Sequence, residues 1–214
     1  MIIAIDGPAA SGKGTLARRV AAAMDYAYLD TGLLYRATGA KVLALGGNPE
    51  DVDTAVNAAE QLQPADLENE NLRSEDVGNA ASRVAAIAQV RAVLLDFQRQ
   101  LAKSPPGGKH GAVLDGRDIG TVVCPEAPIK FYLTASVKER ANRRFKQLQE
   151  KNPAAIYERV LNELEERDAR DSARDVAPLK MADNAIHIDT DRLNADAVFN
   201  AVMAHIRTHM GEDD

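Results

Sequence analysis

An apolar run, Met1-Ile2-Ile3-Ala4-Ile5-Asp6, breaks off at Gly7-Pro8-Ala9-Ala10-Ser11-Gly12-Lys13-Gly14-Thr15, and no other junction limits the fold as much. The run is a buried strand or a helix fragment, and the glycine-rich loop after it favours the strand. Gly7 and Gly12 open backbone angles that other residues avoid, so successive N–H groups can converge into an anion-binding nest. Leu16 to Met24 follows with strong helix formers and an apolar stripe. The nest therefore opens onto a helix N-terminus, whose dipole also favours an anion. Lys13 adds a full positive charge, and phosphate is the expected guest.

The spacing fits G-x-x-x-x-G-K-[ST] except at the last position, where Gly14 stands and the hydroxyl arrives one residue later as Thr15. A tight strand-to-helix turn with a solvated lysine is the bland alternative. It leaves two glycines, a lysine and a threonine at these spacings unexplained. No basic segment precedes the apolar run and no cleavage site follows it, so a signal peptide is not expected.

Hydrophobic content of 45% and charged content of 27% are ordinary for a globular chain, and 214 residues suffice for one full-sized domain with an insertion. No apolar run is long enough to span a bilayer, so a soluble, cytoplasmic protein without a membrane partner is expected. The lone Cys124 excludes an internal disulfide framework and suits a reducing compartment. A net charge of −6 and 4% aromatic residues argue against nucleic acid as a partner. The ligand is expected to be small. The four histidines show no metal-ligand spacing with acids or the cysteine.

Further along, Tyr26 to Asp30 reads as a second strand closing on a turn at Asp30-Thr31-Gly32. A helix over Leu33–Leu45 would carry Arg36 in its first turn, where it opposes the dipole. Arg36 is thus either a solvated surface residue or one held to meet an anion. From Asn48 to Arg73 the chain is acidic and polar with no strong period, which reads as an insertion or mobile flap. Ser74-Glu75-Asp76-Val77 is a capped helix start. The next helix places Val90, Val93, Leu94, Phe97 and Leu101 on one face, with Arg91 and Arg99 off it and read as solvated.

Ala112-Val113-Leu114 is a short buried strand ending in Asp115-Gly116-Arg117-Asp118-Ile119-Gly120-Thr121. An acid at the end of an apolar strand suits a carboxylate near a nucleotide-bound metal. Ile129 to Thr134 and Ala185 to Thr190 are the remaining strands, and Ser136-Val137-Lys138-Glu139 opens a basic helix with Arg140, Arg143 and Arg144 on one face. Arg167, Arg170 and Arg174, with Asp168, Asp171 and Asp175 one residue on, read as a solvated, salt-bridged helix carrying the pairs Glu163–Arg167 and Glu166–Arg170. Five strands separated by helices give an α/β class with a parallel sheet.

Taken together, the loop at 7–15, Leu29-Asp30-Thr31-Gly32-Leu33-Leu34-Tyr35-Arg36, Asn79-Ala80-Ala81-Ser82-Arg83-Val84-Ala85, Asp115 to Thr121 and Arg167-Asp168-Ala169-Arg170-Asp171 resemble bacterial cytidylate kinase from end to end. The loop is shared with many nucleotide binders. The Asp-Thr-Gly…Tyr-Arg and Asp-Gly-Arg-Asp-x-Gly-Thr segments in this order are far more specific, and Lys-Gly-Thr is common among nucleoside monophosphate kinases.

The resemblance implies a P-loop NTPase fold, a three-layer α/β/α sandwich with a five-stranded parallel sheet. It implies a monophosphate-binding insertion at about 35–105 and a short helical lid at about 140–175. It also implies phosphoryl transfer from ATP to CMP or dCMP with Mg²⁺, by a monomer. Gly7, Pro8, Ala9, Ala10, Ser11, Gly12, Lys13, Gly14 and Thr15 would bind ATP, with Thr15 and Asp115 near the metal. Arg36 and Arg117 would clamp the acceptor phosphate, and Thr31 would bind the acceptor substrate. Ser82, Arg91 and Asp118 would read the cytosine edge, and Arg167 with Asp171 would reach the sugar and phosphate side. Arg143 and Arg174 would close on the transferring group, beside Lys13 and Arg117.

Many bacterial members place hairpin strands before the helix carrying Ser82. Gln61 to Asp76 is too short and polar for those strands, so a reduced insertion is expected. A GTPase-like switch is disfavoured because neither Asn-Lys-x-Asp nor a switch Asp-x-x-Gly occurs. A kinase of another small acceptor, such as shikimate or gluconate, would show no base discrimination. A catalytically silent nucleotide binder is the third alternative, against which Lys13, Asp115, Arg117 and Arg174 argue.

Overall fold

The computed structural model describes residues 1–150 and 152–211. Five parallel strands stand in the order β2-β3-β1-β4-β5: β1 Ile2–Asp6, β2 Ala27–Asp30, β3 Ala112–Gly116, β4 Ile129–Thr134 and β5 Ile186–Asp189. The near-continuous apolar runs of β1 and β3 suit strands buried on both faces. Ile3, Ile5, Val113, Phe131 and Leu133 pack on α1, Lys13–Met24, and α8, Ala195–Met210, through Leu16, Val20, Val198, Val202 and Ile206. The opposite face, with Ala4, Ala112 and Leu114, lies against Ala102 and a single π-helical turn, Ile119–Val123. The three-layer α/β/α arrangement follows from this alternation of side chains.

Between β2 and β3 the chain builds a second core. Helices α2, Thr31–Ala44, α3, Val52–Glu60, α4, Glu75–Val84, and α5, Ala88–Lys103, bury Leu34, Val42, Ala55, Val84, Val90 and Leu94 together. Ser74 caps α4 by accepting from the Val77 N–H at 3.4 Å. At the α2–α4 crossing, a Cβ on Gly39 would lie 2.9 Å from the Ala81 nitrogen. Gly39→Ala is therefore expected to push the helices apart and destabilise the chain by about 1–3 kcal/mol, read as a lowered Tm.

Several sequence expectations change here. Asp30-Thr31-Gly32 is not a turn: α2 starts at Thr31, so Arg36 falls in its second turn and faces no first-turn dipole. The stretch 48–73 holds α3 and two 3₁₀ turns, Pro64–Glu68 and Glu70–Arg73, and no strand. Alanines at 55, 58 and 59 form the buried face of α3, a stripe of side chains too small to mark a strong period. Phe97 is 42% exposed, because α5 turns only Val90, Leu94 and their neighbours inward. Arg91 is buried, not solvated, since Asp118 neutralises it.

Helices α6, Val137–Gln149, and α7, Tyr157–Ser172, pack on each other through Ala141, Val160 and Leu164, with Ala9 of the glycine loop between them and the sheet. Arg140 anchors the pair: it donates to the Ala9 carbonyl at 3.2 Å and to Asp168 at 2.6 Å. The pairs Glu163–Arg167 and Glu166–Arg170 do not form as ion pairs. Glu163 takes Arg159 at 3.0 Å, Arg167 turns toward Asp171 at 3.9 Å, and Arg170 donates to the Glu166 backbone carbonyl at 3.4 Å. Arg167 and Asp171 face the protein, not solvent, because Arg117 and Arg174 converge on the same carboxylate.

Candidate active site

The glycine loop leaves β1 at Gly7, with φ +152°, and a Cβ there would sit 2.2 Å from the Leu133 carbonyl oxygen. Only glycine allows β1 and β4 to approach so closely at this bend. Ala10 and Gly12 also have positive φ, and α1 begins at Lys13 with no side-chain cap. Its first amides are thereby free of a side-chain acceptor, the arrangement that suits an anion. The Ser11 hydroxyl is buried without a hydrogen-bond partner among the described residues.

A cavity of about 780 Å³ opens over this loop, lined by residues 9–15 and also by Asp30, Arg36, Asp115, Arg117, Arg143 and Arg167. Lys13 is buried and donates to the Pro8 carbonyl at 3.1 Å. Burial pulls its ammonium down to about 7, Arg117 adding to the fall and Asp115 opposing it. Asp115 is pushed up to about 6 by burial and by the Asp30 carboxylate. Tyr28 donates to its Oδ1 at 2.9 Å, while Oδ2 faces Gly14, 3.4 Å from where a Cβ would be. Burial, then Asp115 and Asp30, raise the Tyr28 hydroxyl, so it stays a donor.

Burial and the neighbouring Arg144 lower the Arg36 guanidinium to about 10; it donates to the Leu72 carbonyl at 2.7 Å. Burial and Arg117 lower Arg167 to about 9, and its Nε is buried without a hydrogen bond among the described residues. A cavity wall crowded with cations that lower one another's pKa is a wall suited to polyanions.

Behind the wall lies a polar cluster that does not line the cavity. Asp171, wholly buried, accepts from Ser82 at 3.3 Å and Arg117 Nε at 2.9 Å, and Arg174 also donates to it. Burial pushes this carboxyl upward, but Arg117, Arg174 and Arg167 outweigh it and hold it at about 2. Asp118 is bound to Arg91, whose guanidinium lies 5.3 Å above the Tyr35 ring.

Of the residues singled out by sequence, Lys13, Thr15, Asp115, Arg36, Arg117, Arg143 and Arg167 thus meet at one cavity. Ser82, Arg91, Asp118, Asp171 and Arg174 form the layer behind. Thr31 is turned away: its buried hydroxyl donates to the Asp115 carbonyl at 2.8 Å. Arg143 is held by Glu139 and by Thr190, whose carbonyl accepts at 2.6 Å. Tyr28, Tyr35 and Asp6 escaped sequence reasoning. Asp6 carried a usable signal, an acid ending an apolar strand, the same one that marked Asp115.

Among the described residues no group of three or more His, Cys, Asp or Glu could hold a metal by itself, and no helix is long and apolar enough to cross a membrane. The Asp30 and Asp115 carboxylates and the Thr15 hydroxyl are hard oxygen donors at the loop. They fit Mg²⁺, which is bound through one or two carboxylates together with substrate phosphates.

A parallel sheet with a glycine nest between its central strand and the following helix defines a P-loop nucleotide-binding fold of the kinase type. A family model described as cytidylate kinase matches residues 3–208. The cytidylate kinase of Paramagnetospirillum magneticum is 59% identical over 96% of this chain and 97% of its own. That of Rhodospirillum rubrum is 53% identical over 96% and 98%. An uncharacterized Eubacterium ventriosum protein of known structure shares the fold, with TM-score 0.53 at 13% identity over 97% of this chain and 98% of its own. The chain belongs to the cytidylate kinase family.

Proposed function

We propose that the chain transfers the γ-phosphoryl group of ATP to CMP or dCMP, giving ADP and CDP or dCDP. The observation that carries the reading is one continuous cavity joining the Lys13 nest to Arg36, Arg117 and Arg167. A donor triphosphate and an acceptor monophosphate can then meet with their charges matched by fixed cations. Phosphoryl transfer asks for positioning and charge stabilisation more than covalent chemistry, and these residues supply both.

In this reading the amides of residues 9–15 and Lys13 hold the donor phosphates. Thr15 and Asp115 hold Mg²⁺, which neutralises phosphate charge when bound. Arg36 and Arg117 hold the acceptor phosphate, and Arg167 meets the group in transfer. Ser82, Arg91 and Asp118 read cytosine once the base enters past the cavity wall into the layer behind it, with Asp171 and Arg174 ordering the acceptor side. Arg143 reaches the phosphates only after leaving Thr190. The regions at about 35–105 and 140–175 act as acceptor-binding insertion and lid. The protein works as a monomer, in a reducing cytoplasm that suits a single buried cysteine.

ADP formation with CMP, dCMP, UMP, AMP and shikimate offered separately tests this. Turnover of about 1–100 s⁻¹ with CMP and dCMP and little with the rest is expected. Equal rates on UMP would discard base reading; turnover of shikimate alone would replace the acceptor class. A pH series adds a second expected result. Lys13 loses its proton through about pH 7 in the free protein, so kcat/KM for ATP should fall as pH rises from 7 to 9. At saturating ATP the fall in kcat should be smaller, because bound phosphate holds the proton on Lys13.

A further inference from the structure

Asp6 ends β1 at 4% exposure, and both carboxylate oxygens are engaged. Oδ1 accepts from the Ile119 N–H and Oδ2 from the Gly120 N–H, each at 2.8 Å. These amides open the π-helical turn, directly after Arg117 and Asp118. The amides of Val122 and Val123 bond back to the Asp118 carbonyl at 2.8 and 3.1 Å. Asp6 therefore holds the turn from the sheet side, while Asp118 closes it from within.

The turn has little freedom besides. A Cβ on Gly120 would lie 3.0 Å from Lys130 Cδ and 3.4 Å from Asp6 Oδ2. Burial pushes the Asp6 carboxyl up to about 7, against its two backbone bonds. A buried carboxylate is thus kept at a cost to stability. An asparagine would avoid that cost, but because the two amides bond separate oxygens it would set an NH2 donor against one of them.

We propose that Asp6 is a positioning residue for acceptor recognition: by clamping the Ile119 and Gly120 amides it sets Arg117 and Asp118 relative to the donor strand. The inference rests on the function proposed above. Although Asp6 immediately precedes the glycine loop, that loop has its own restraints. Lys13 bonds to the Pro8 carbonyl, Arg140 to that of Ala9 and Thr190 to that of Ser11. Loosening the clamp consequently acts on the acceptor side and spares the donor side.

The test is steady-state kinetics of Asp6→Asn, varying CMP and UMP at saturating ATP and varying ATP at saturating CMP. Displacing binding groups by an ångström is enough to lose about 10²-fold, so KM for CMP should rise at least about tenfold. The CMP-over-UMP ratio of kcat/KM should fall by a similar factor, with KM for ATP within about threefold of wild type. Gly120→Ala, which presses on the clamp from the turn and leaves Asp6 in place, should show the same split, and decides the matter if Asp6→Asn fails to fold. Unchanged constants, or equal rises in both KM values, would overturn the positioning role while an active wild type keeps the proposed function. A wild type inactive on CMP would overturn both.

Discussion

Asp171→Ala is expected to lower the stability of the protein by about 3–5 kcal/mol, because removing one partner of a buried ion pair leaves charge uncompensated. The carboxylate is wholly buried and binds Arg117 and Arg174 directly, with Arg167 at 3.9 Å. Ser82 also loses its acceptor. Urea unfolding should show the drop in midpoint without a change in slope. Repulsion among the freed guanidiniums should open the layer behind the cavity, so KM for CMP should rise steeply as well.

The sign of the pH dependence follows from the depressed Asp171 carboxyl. Its folded value of about 2 lies below the ordinary 3.8, so its contribution, about 2 kcal/mol, is complete above roughly pH 4 and lost as pH falls toward 2. Wild type minus Asp171→Asn stability should shrink over that window. A constant difference from pH 5 to pH 2 would show that the three arginines do not act on this carboxyl.

Asp118→Ala should lose base preference more than it loses ATP. Cytosine presents an amino donor where uracil has a carbonyl, and a site built to accept from that amino group can discriminate by about 10⁴. Here Arg91 fixes the Asp118 carboxylate in place, and Tyr35 supports the guanidinium from beneath. The variant's CMP-over-UMP ratio of kcat/KM should approach unity, with KM for ATP nearly unchanged. Retention of wild-type selectivity would mean that Asp118 does not read the base. Some stability should be lost too, since among the described residues Arg91 would keep only the Ala85 carbonyl as acceptor.

Much of the site was legible because its chemistry is local. Gly7 to Thr15 carries the nest, the charge and the helix start within nine consecutive residues, each with a backbone or electrostatic reason to be there. The family resemblance then pointed to Arg91, Asp118, Ser82 and Asp171. Residue pattern alone placed Arg91, Arg167 and Asp171 on solvated faces, since helical periodicity reports which way a residue points and not what meets it there. Phe97 failed for the complementary reason: it is on the apolar stripe of α5, but the neighbouring elements do not reach far enough to cover it.

Residue type and spacing were enough for the strand–loop–helix unit, for the parallel α/β class and for a polar 61–76 stretch without hairpin strands, because backbone angles and side-chain period act over a few residues. Packing in three dimensions was needed to show that Thr31 faces the Asp115 carbonyl, that Tyr28 aims the Asp115 carboxylate and that Asp6 holds amides 113 and 114 residues away. These contacts join groups from separate strands and helices. Each forms because a buried donor or charge must find a partner, and which partner lies within reach is set by the order of strands in the sheet.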